Sequence, residues 1–262
     1  MNIAGKRVLL TGASGGIGQA IARRMAQAGA ELILTGRNAN LLSQLGAELK
    51  ARTIVADLSD AESVRRLLNE AGPVDILIAN AGLPAPSSGG QGSFEEITAV
   101  LDVNLLSPLL LTRGLMKGMR SQRSGHLLYI SSLAGRVASP LSPVYSASKF
   151  GLRGFAQCLR LGLHGSGIGV SCVFPGIISE AGMFVASGAR PPKGIGTNTP
   201  DEVAVAVVRA IERDIAEIMV APLILKLWCR FSDFAPRLAA WIQLKSGAQA
   251  VVAGIDEKGS TR

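Results

Sequence analysis

Tyr145 and Lys149 stand four residues apart in Tyr145-Ser-Ala-Ser-Lys149. On a helix that spacing puts both side chains on one face, where they reach a single ligand. Ser132 lies 13 residues upstream, just after the aliphatic run Leu127 to Ser131, and the intervening loop can fold its hydroxyl back beside the tyrosine. These residue types suit proton transfer. A phenol titrates near a pH of about 10, too high for ready exchange at neutrality, but a neighbouring ammonium favours the phenolate and lowers that value. The expectation is a tyrosine acid tuned downward by Lys149. Reducing a carbonyl also requires a hydride on carbon, which a nicotinamide supplies. Each feature has a plainer structural reading as well: a chance pair on a helix, or a serine capping a turn.

A cofactor of that kind needs a phosphate cradle, and Thr11-Gly-Ala-Ser-Gly-Gly-Ile-Gly18 follows the first aliphatic run. Gly12, Gly16 and Gly18 let the backbone turn sharply, approach a pyrophosphate and pack a helix against a sheet. The helix that follows then points its free N–H groups at the phosphates. A glycine cluster is also an ordinary strand-to-helix turn; its place after the first strand favours the cradle.

The elements that must hold these groups show as alternating short aliphatic runs and helical patterns. Strands are expected near 6–11, 31–36, 52–56, 74–79, 125–131, 168–174 and 217–220, with helices in the gaps. Such alternation implies an α/β fold with one doubly wound parallel sheet of about seven strands and helices on both faces, ligands binding at the C-terminal strand ends. The loosest stretches are Leu83 to Gly92 and Glu180 to Thr199, the second a candidate substrate lid. It ends at Thr199-Pro-Asp-Glu202, a capping box with proline in the first helical position. The expected organisation is a cofactor-binding and catalytic domain over 1–221, with 222–262 as a helical extension of the same domain.

With 262 residues, 48% hydrophobic and 18% charged, the chain can bury a sizeable core as one domain. Cys158, Cys172 and Cys229 are scattered without CxxC spacing, so buried inert thiols in a reducing compartment are expected and a disulfide scaffold is not. His126 and His164 belong to no cluster of zinc spacing, and no metal site is expected. Met1 runs into an apolar strand pattern without a cleavage site behind it, which argues for a cytoplasmic protein. The net charge of +8 is spread without a basic block, which argues against nucleic acid.

The GxxxGxG loop, Asp57-Leu58 after the third strand, Asn80-Ala81-Gly82 after the fourth, Asn104, Ser132, Tyr145-Ser-Ala-Ser-Lys149 and Pro175-Gly176 stand in one order. Over roughly residues 6–180 the sequence resembles the short-chain dehydrogenase/reductase family. The resemblance implies carbonyl–alcohol interconversion on a small-molecule substrate, and its spacing picks Ser132 over Ser131. It implies that Ser132 donates to the substrate oxygen, that Lys149 holds the nicotinamide ribose, and that Asn104, placed in the fourth helix, orders a water between Lys149 and solvent. Gly12, Ser14, Gly16, Ile17, Gly18, Asp57, Leu58, Asn80, Ala81, Gly82, Tyr145, Lys149, Pro175, Gly176 and Ile178 are the implied cofactor contacts, Asp57 at adenine. Where NAD(H) enzymes of this fold carry an acid for the ribose 2′-hydroxyl, the second strand ends in Thr35-Gly36-Arg37. Arg37 suits a 2′-phosphate, so NADP(H) is preferred over NAD(H).

The resemblance thins after Gly176, where Glu180 stands in the place of a family threonine. The tail lacks the glycine-rich ending of tetrameric relatives, and a homodimer is expected. Ile224, Leu227, Trp228 and Phe231 recur at helical spacing, with Lys226 and Arg230 read onto another face; Leu238, Trp241 and Ile242 resume the pattern beside Arg237 and Lys245. Two amphipathic helices are implied. They pack on the protein's own cleft or a sister subunit, or make peripheral membrane contact, the last suggesting an apolar, lipid- or steroid-like substrate. Alternative readings are a catalytically silent cofactor-binding regulator and a membrane-associated interaction protein on the same fold.

Overall fold

The computed structural model describes residues 1–84, 92–138, 142–179 and 196–245. Seven strands, β1 (Arg7–Thr11), β2 (Glu31–Gly36), β3 (Arg52–Val55), β4 (Ile76–Ala79), β5 (Gly125–Ile130), β6 (Ile168–Pro175) and β7 (Glu217–Val220), form one sheet. Their order is β3-β2-β1-β4-β5-β6-β7, with every pairing parallel. All seven lie within two residues of the expected runs. The largest offset is at β4: the Asp75 carboxylate, rather than strand backbone, takes the Arg7 N–H at 2.9 Å ahead of it.

Alternation along the strands fills two cores. Val8, Leu10, Ile76, Ile78 and Leu128 face α1 (Gly16–Gln27), α2 (Ala39–Leu49) and α7 (Pro200–Arg213). Leu9, Leu77, Leu127 and Tyr129 face α3 (Ala61–Ala71), α5 (Ser107–Gln122) and α6 (Pro143–Gly162). A strand buried on both faces in this way must be aliphatic throughout, which is why the runs were legible. Each such side chain contributes about 1.5–3 kcal/mol.

Asn38, Asp60 and Thr199 cap α2, α3 and α7 through their side chains. At α7 the expected capping box is present, with the Glu202 carboxylate taking the Thr199 N–H at 2.7 Å and Pro200 opening the helix. By contrast α1 begins at Gly15 with no side-chain cap. Between α4 (Phe94–Leu101) and α5 the backbone widens into a π-turn, Asp102–Leu106. Asn104 therefore sits in that turn and not in a regular fourth helix. Cys172 and Cys229 are buried, but Cys158 is exposed, because its position on α6 points away from the sheet.

The tail forms α8 (Leu223–Phe234) and α9 (Pro236–Lys245), broken where proline cannot continue the helix. The expected facing is corrected. Cys229 and Ser232 are the residues α8 buries, while Ile224 and Leu227 are exposed and Arg230 shares their outward side. Polar anchoring, not the apolar stripe, sets this rotation: Asp233 reaches Arg136 and Arg153, and the Gln243 amide donates to the Ala138 carbonyl at 3.2 Å. Most of the two loose loops, including Glu180, lies outside the described residues.

Candidate active site

The sheet order reverses between β1 and β4, and the loops after both strands meet there. Thr11 closes β1 with a hydroxyl that accepts from the N–H groups of Asn80 and Ala81, each at 3.0 Å. The Asn80 amide returns to the carbonyls of Thr11 and Gly12 at 2.9 and 3.1 Å. This reciprocal set fixes the glycine loop against the Asn80-Ala81-Gly82 turn. Gly12 has φ +63°, and a Cβ there would stand 2.7 Å from the Ala81 Cα; at Gly18 it would stand 2.1 Å from the Gly12 carbonyl oxygen. These two positions are therefore confined to bare backbone. Gly16, Ile17 and Gly18 form the first turn of α1, whose uncapped N–H groups and positive dipole end suit an anion.

Ser14 lies against Gly36 at the end of β2, where an added Cβ would come within 2.9 Å of its hydroxyl. The next residue, Arg37, is exposed. Asp57 follows β3 and accepts from the Ser59 N–H at 3.0 Å and the Ser59 hydroxyl at 2.8 Å. Those bonds, with help from the Arg37 charge, hold its carboxyl below the ordinary carboxylate range. Leu58 beside it is buried. On the other flank Pro175 ends β6, Gly176 donates to Val220, and Ile178 bridges to Asn198. The sequence-predicted cofactor residues are thus gathered along the C-terminal strand ends.

Beside them, Ser132 caps a 3-10 turn (Leu133–Gly135), its hydroxyl accepting the Ala134 N–H at 3.1 Å. Its side chain also acts on the Tyr145 phenol, favouring the ionised form. Lys149 is 2% exposed, donates to the Ile130 carbonyl at 3.0 Å, and holds its ammonium 5.7 Å from the Tyr145 ring centroid. Burial pushes Lys149 down to about 8. Burial also pushes the Tyr145 phenol up, Ser132 only partly offsetting it. This reverses the expected downward tuning. The ammonium is bonded to a backbone carbonyl over the ring rather than to the hydroxyl, so desolvation outweighs it.

Asn104 is fully buried and spends its amide on structure. It accepts from the Leu83 N–H at 2.7 Å and donates to the Leu83 carbonyl at 3.0 Å and the Ser148 hydroxyl at 3.2 Å. Ser148 in turn donates to the Tyr145 carbonyl at 2.7 Å. Asn104 therefore ties the β4 loop to α6 and has no direct bond to Lys149. A π-turn is a frequent feature of functional sites. Ser131, next to Ser132, points elsewhere and donates to the Lys149 carbonyl at 3.0 Å.

The family described as short chain dehydrogenase matches residues 6–190. The chain belongs to the short-chain dehydrogenase/reductase family. Among curated relatives it is 38% identical over 227 residues to the ketoacyl reductase HetN of Nostoc sp., covering 83% of this chain and 79% of that protein. It is 33% identical over 253 residues to dehydrogenase/reductase SDR family member 7B of Xenopus laevis, covering 88% and 78%. A short-chain dehydrogenase from Sphingobium yanoikuyae in complex with NADPH superposes with a TM-score of 0.76 at 25% identity, covering 95% of each chain. As a member of this family, the protein is an NAD(P)-dependent dehydrogenase/reductase acting on CH–OH groups.

The residues present fit such a cofactor, since the loop that would carry its pyrophosphate excludes any side chain at Gly12 and Gly18 and α1 is uncapped. Among the described residues no group of three or more His, Cys, Asp or Glu could hold a metal ion. Sequence reading assigned no role to Thr11 and Ser148, whose signal was only a hydroxyl inside a motif. It also missed Arg136, which donates to Glu217 and Asp233 and stacks 5.2 Å from the Phe174 ring centroid. Its partners lie 81 and 97 residues away, beyond any local pattern.

Proposed function

We propose that the protein reduces an apolar ketone or aldehyde with NADP(H), with Tyr145 as the general acid. The observation that carries this reading is the buried Lys149 ammonium over the Tyr145 ring, with Ser132 acting on the phenol. Burial keeps the phenol protonated at neutral pH, the form a proton donor requires. Ser132 and Tyr145 together orient the substrate oxygen by hydrogen bonds. As Tyr145 gives up its proton, the negative charge forms in a desolvated site where Lys149 stabilises it at short range. The nicotinamide supplies the hydride when bound. Asn104 positions α6 through Ser148 and the β4 loop through Leu83. The intact set of Ser132, Tyr145 and Lys149 speaks against a silent cofactor-binding regulator.

Arg37 supports NADP(H): it is exposed at the end of β2, with no carboxylate between Glu31 and Arg37. A guanidinium there offers paired N–H groups to a 2′-phosphate. Arg37→Asp is expected to weaken NADPH binding roughly 10- to 100-fold, the loss of one charge-assisted contact, and to favour NADH. Unchanged NADPH affinity would sink the assignment. Similarity to a ketoacyl reductase supports a substrate with an aliphatic chain. The test is NADPH against NADH oxidation over ketones and aldehydes of graded chain length, with activity rising with chain length.

A homodimer belongs to the same reading. Phe94 on α4, Leu106 in the π-turn and Phe150 on α6 are exposed apolar side chains on elements packed together, and light scattering distinguishes dimer from monomer.

A further inference from the structure

Helices α8 and α9 expose on their outward side the kind of residue a folded chain ordinarily hides. Leu223, Leu227 and Phe234 on α8 and Leu238, Trp241 and Leu244 on α9 are each about half exposed or more. Steps of four and seven on α8, and of three and three on α9, place them in one stripe per helix. This face cannot turn inward. The opposite side is fastened to the body by Cys229 and Ser232 in the interior, by Asp233 on Arg136 and Arg153, and by Gln243 on Ala138.

Charge decides what covers the face. Arg230 falls within the α8 stripe, and Arg237 and Lys245 flank the α9 stripe, all three exposed. The Lys245 ammonium lies 5.3 Å from the Trp241 ring centroid, an amphipathic pair suited to the boundary between headgroups and acyl chains. Asp233 is the one acid between residues 222 and 245, and it is occupied by the two arginines. A second copy related by two-fold symmetry would set this face against itself. Arg230, Arg237 and Lys245 would then meet like charges, with no free acid from these helices to answer them. An anionic lipid surface answers both the apolar stripe and the positive charge.

We propose that the outward face of α8 and α9 docks the protein on anionic membrane surfaces. Because Asp233 and Gln243 tie these helices to the segment after Ser132, docking holds the catalytic loop near the bilayer. The binding claim is independent of the reaction and is read without activity.

The test is co-sedimentation of the full chain with vesicles of phosphatidylcholine alone or mixed with phosphatidylglycerol. Binding is expected only to the anionic vesicles, weakening with added salt. Arg230→Gln, Arg237→Gln and Lys245→Gln should each lower the partition roughly fivefold. Leu227→Asp should abolish it with the circular dichroism spectrum unchanged, since Leu227 is exposed. Tryptophan emission should shift to the blue on anionic vesicles in Trp228→Phe but not in Trp241→Phe. Absence of binding to either vesicle, or equal binding to both, overturns the proposal. So does concentration-dependent self-association that Leu227→Asp removes while vesicles have no effect, which would assign the face to a second copy.

Discussion

Tyr145, Lys149, Arg153 and Gln157 run down α6 in steps of four, and the two halves of this stripe bury charge by opposite rules. In the lower half Arg153 donates to Glu217 at 3.0 Å and to Asp233 at 3.3 Å, and the Gln157 amide donates to Glu217 at 2.8 Å. Arg136 completes the ring from the loop after β5. Burial alone would lower Arg153 and raise Glu217, yet their partners outweigh it and hold both ionised. One turn earlier, Lys149 meets no carboxylate among the described residues. Its ammonium meets a carbonyl and an aromatic ring, and burial pulls it down to about 8. Charge buried for structure is paired here, and the charge proposed to serve chemistry is left to act on whatever enters beside it.

Breaking the paired half should cost the most. Arg136→Met removes a side chain only 8% exposed and leaves Glu217 and Asp233 short of a partner. A loss of about 3 kcal/mol is expected, the low end for a broken buried pair because both acids keep some solvent. Urea denaturation measures it, and a loss under about 1 kcal/mol, typical of surface pairs, would erase the contrast.

His126 extends the comparison to a buried base that is hydrogen-bonded but uncharged. It shares a 2.9 Å bond with Ser171, and burial pushes it down to about 4 from 6.5. The unfolded chain takes up a proton below 6.5 while the native one does not until about 4. The contribution of His126 to stability is therefore complete above pH 6.5 and is lost across that window as pH falls, by about 3 kcal/mol in all. His126→Gln should flatten this part of the pH–stability curve, and a curve that keeps its slope would assign the acid limb elsewhere.

Lys149 titrates with the same sign as His126 but at higher pH, and its replacement gives the smallest stability effect. The unfolded chain holds that proton up to 10.5, while the native chain releases it at about 8. At neutral pH the buried ammonium is thus a cost, and native stability should rise as pH climbs through that window. Lys149→Met relieves about 3 kcal/mol of this cost but loses the bond to the Ile130 carbonyl, so it is expected to stabilise the protein at pH 7 by about 1–2 kcal/mol while turnover collapses, the exchange of stability for function seen at strained sites. Destabilisation at pH 7 would show that the lysine holds the fold.

The strands were legible because Val8-Leu9-Leu10 and Ile76-Leu77-Ile78 must be aliphatic on both faces of the sheet, and local composition carries that requirement. The glycine loop was legible for a similar reason: only glycine fits at Gly12 and Gly18. The direction of the Tyr145 shift was not, because desolvation depends on what packs around a residue and not on its sequence neighbour four positions away. The facing of α8 was misread since apolar residues occur on both of its sides, and Asp233, answering to Arg136 some 97 residues earlier, decides which side turns in. Asn104 was located by its motif, whereas the π-turn that aims it has no periodic signature.

The central claim is that Tyr145 delivers the proton in an NADPH-dependent carbonyl reduction. Tyr145→Phe removes one hydroxyl and leaves the ring beside Lys149, so it isolates that role. NADPH oxidation by this variant, with the best ketone from the chain-length series, should fall by about a thousandfold while NADPH binding by fluorescence stays unchanged. Turnover within a few-fold of the parent protein would contradict the account.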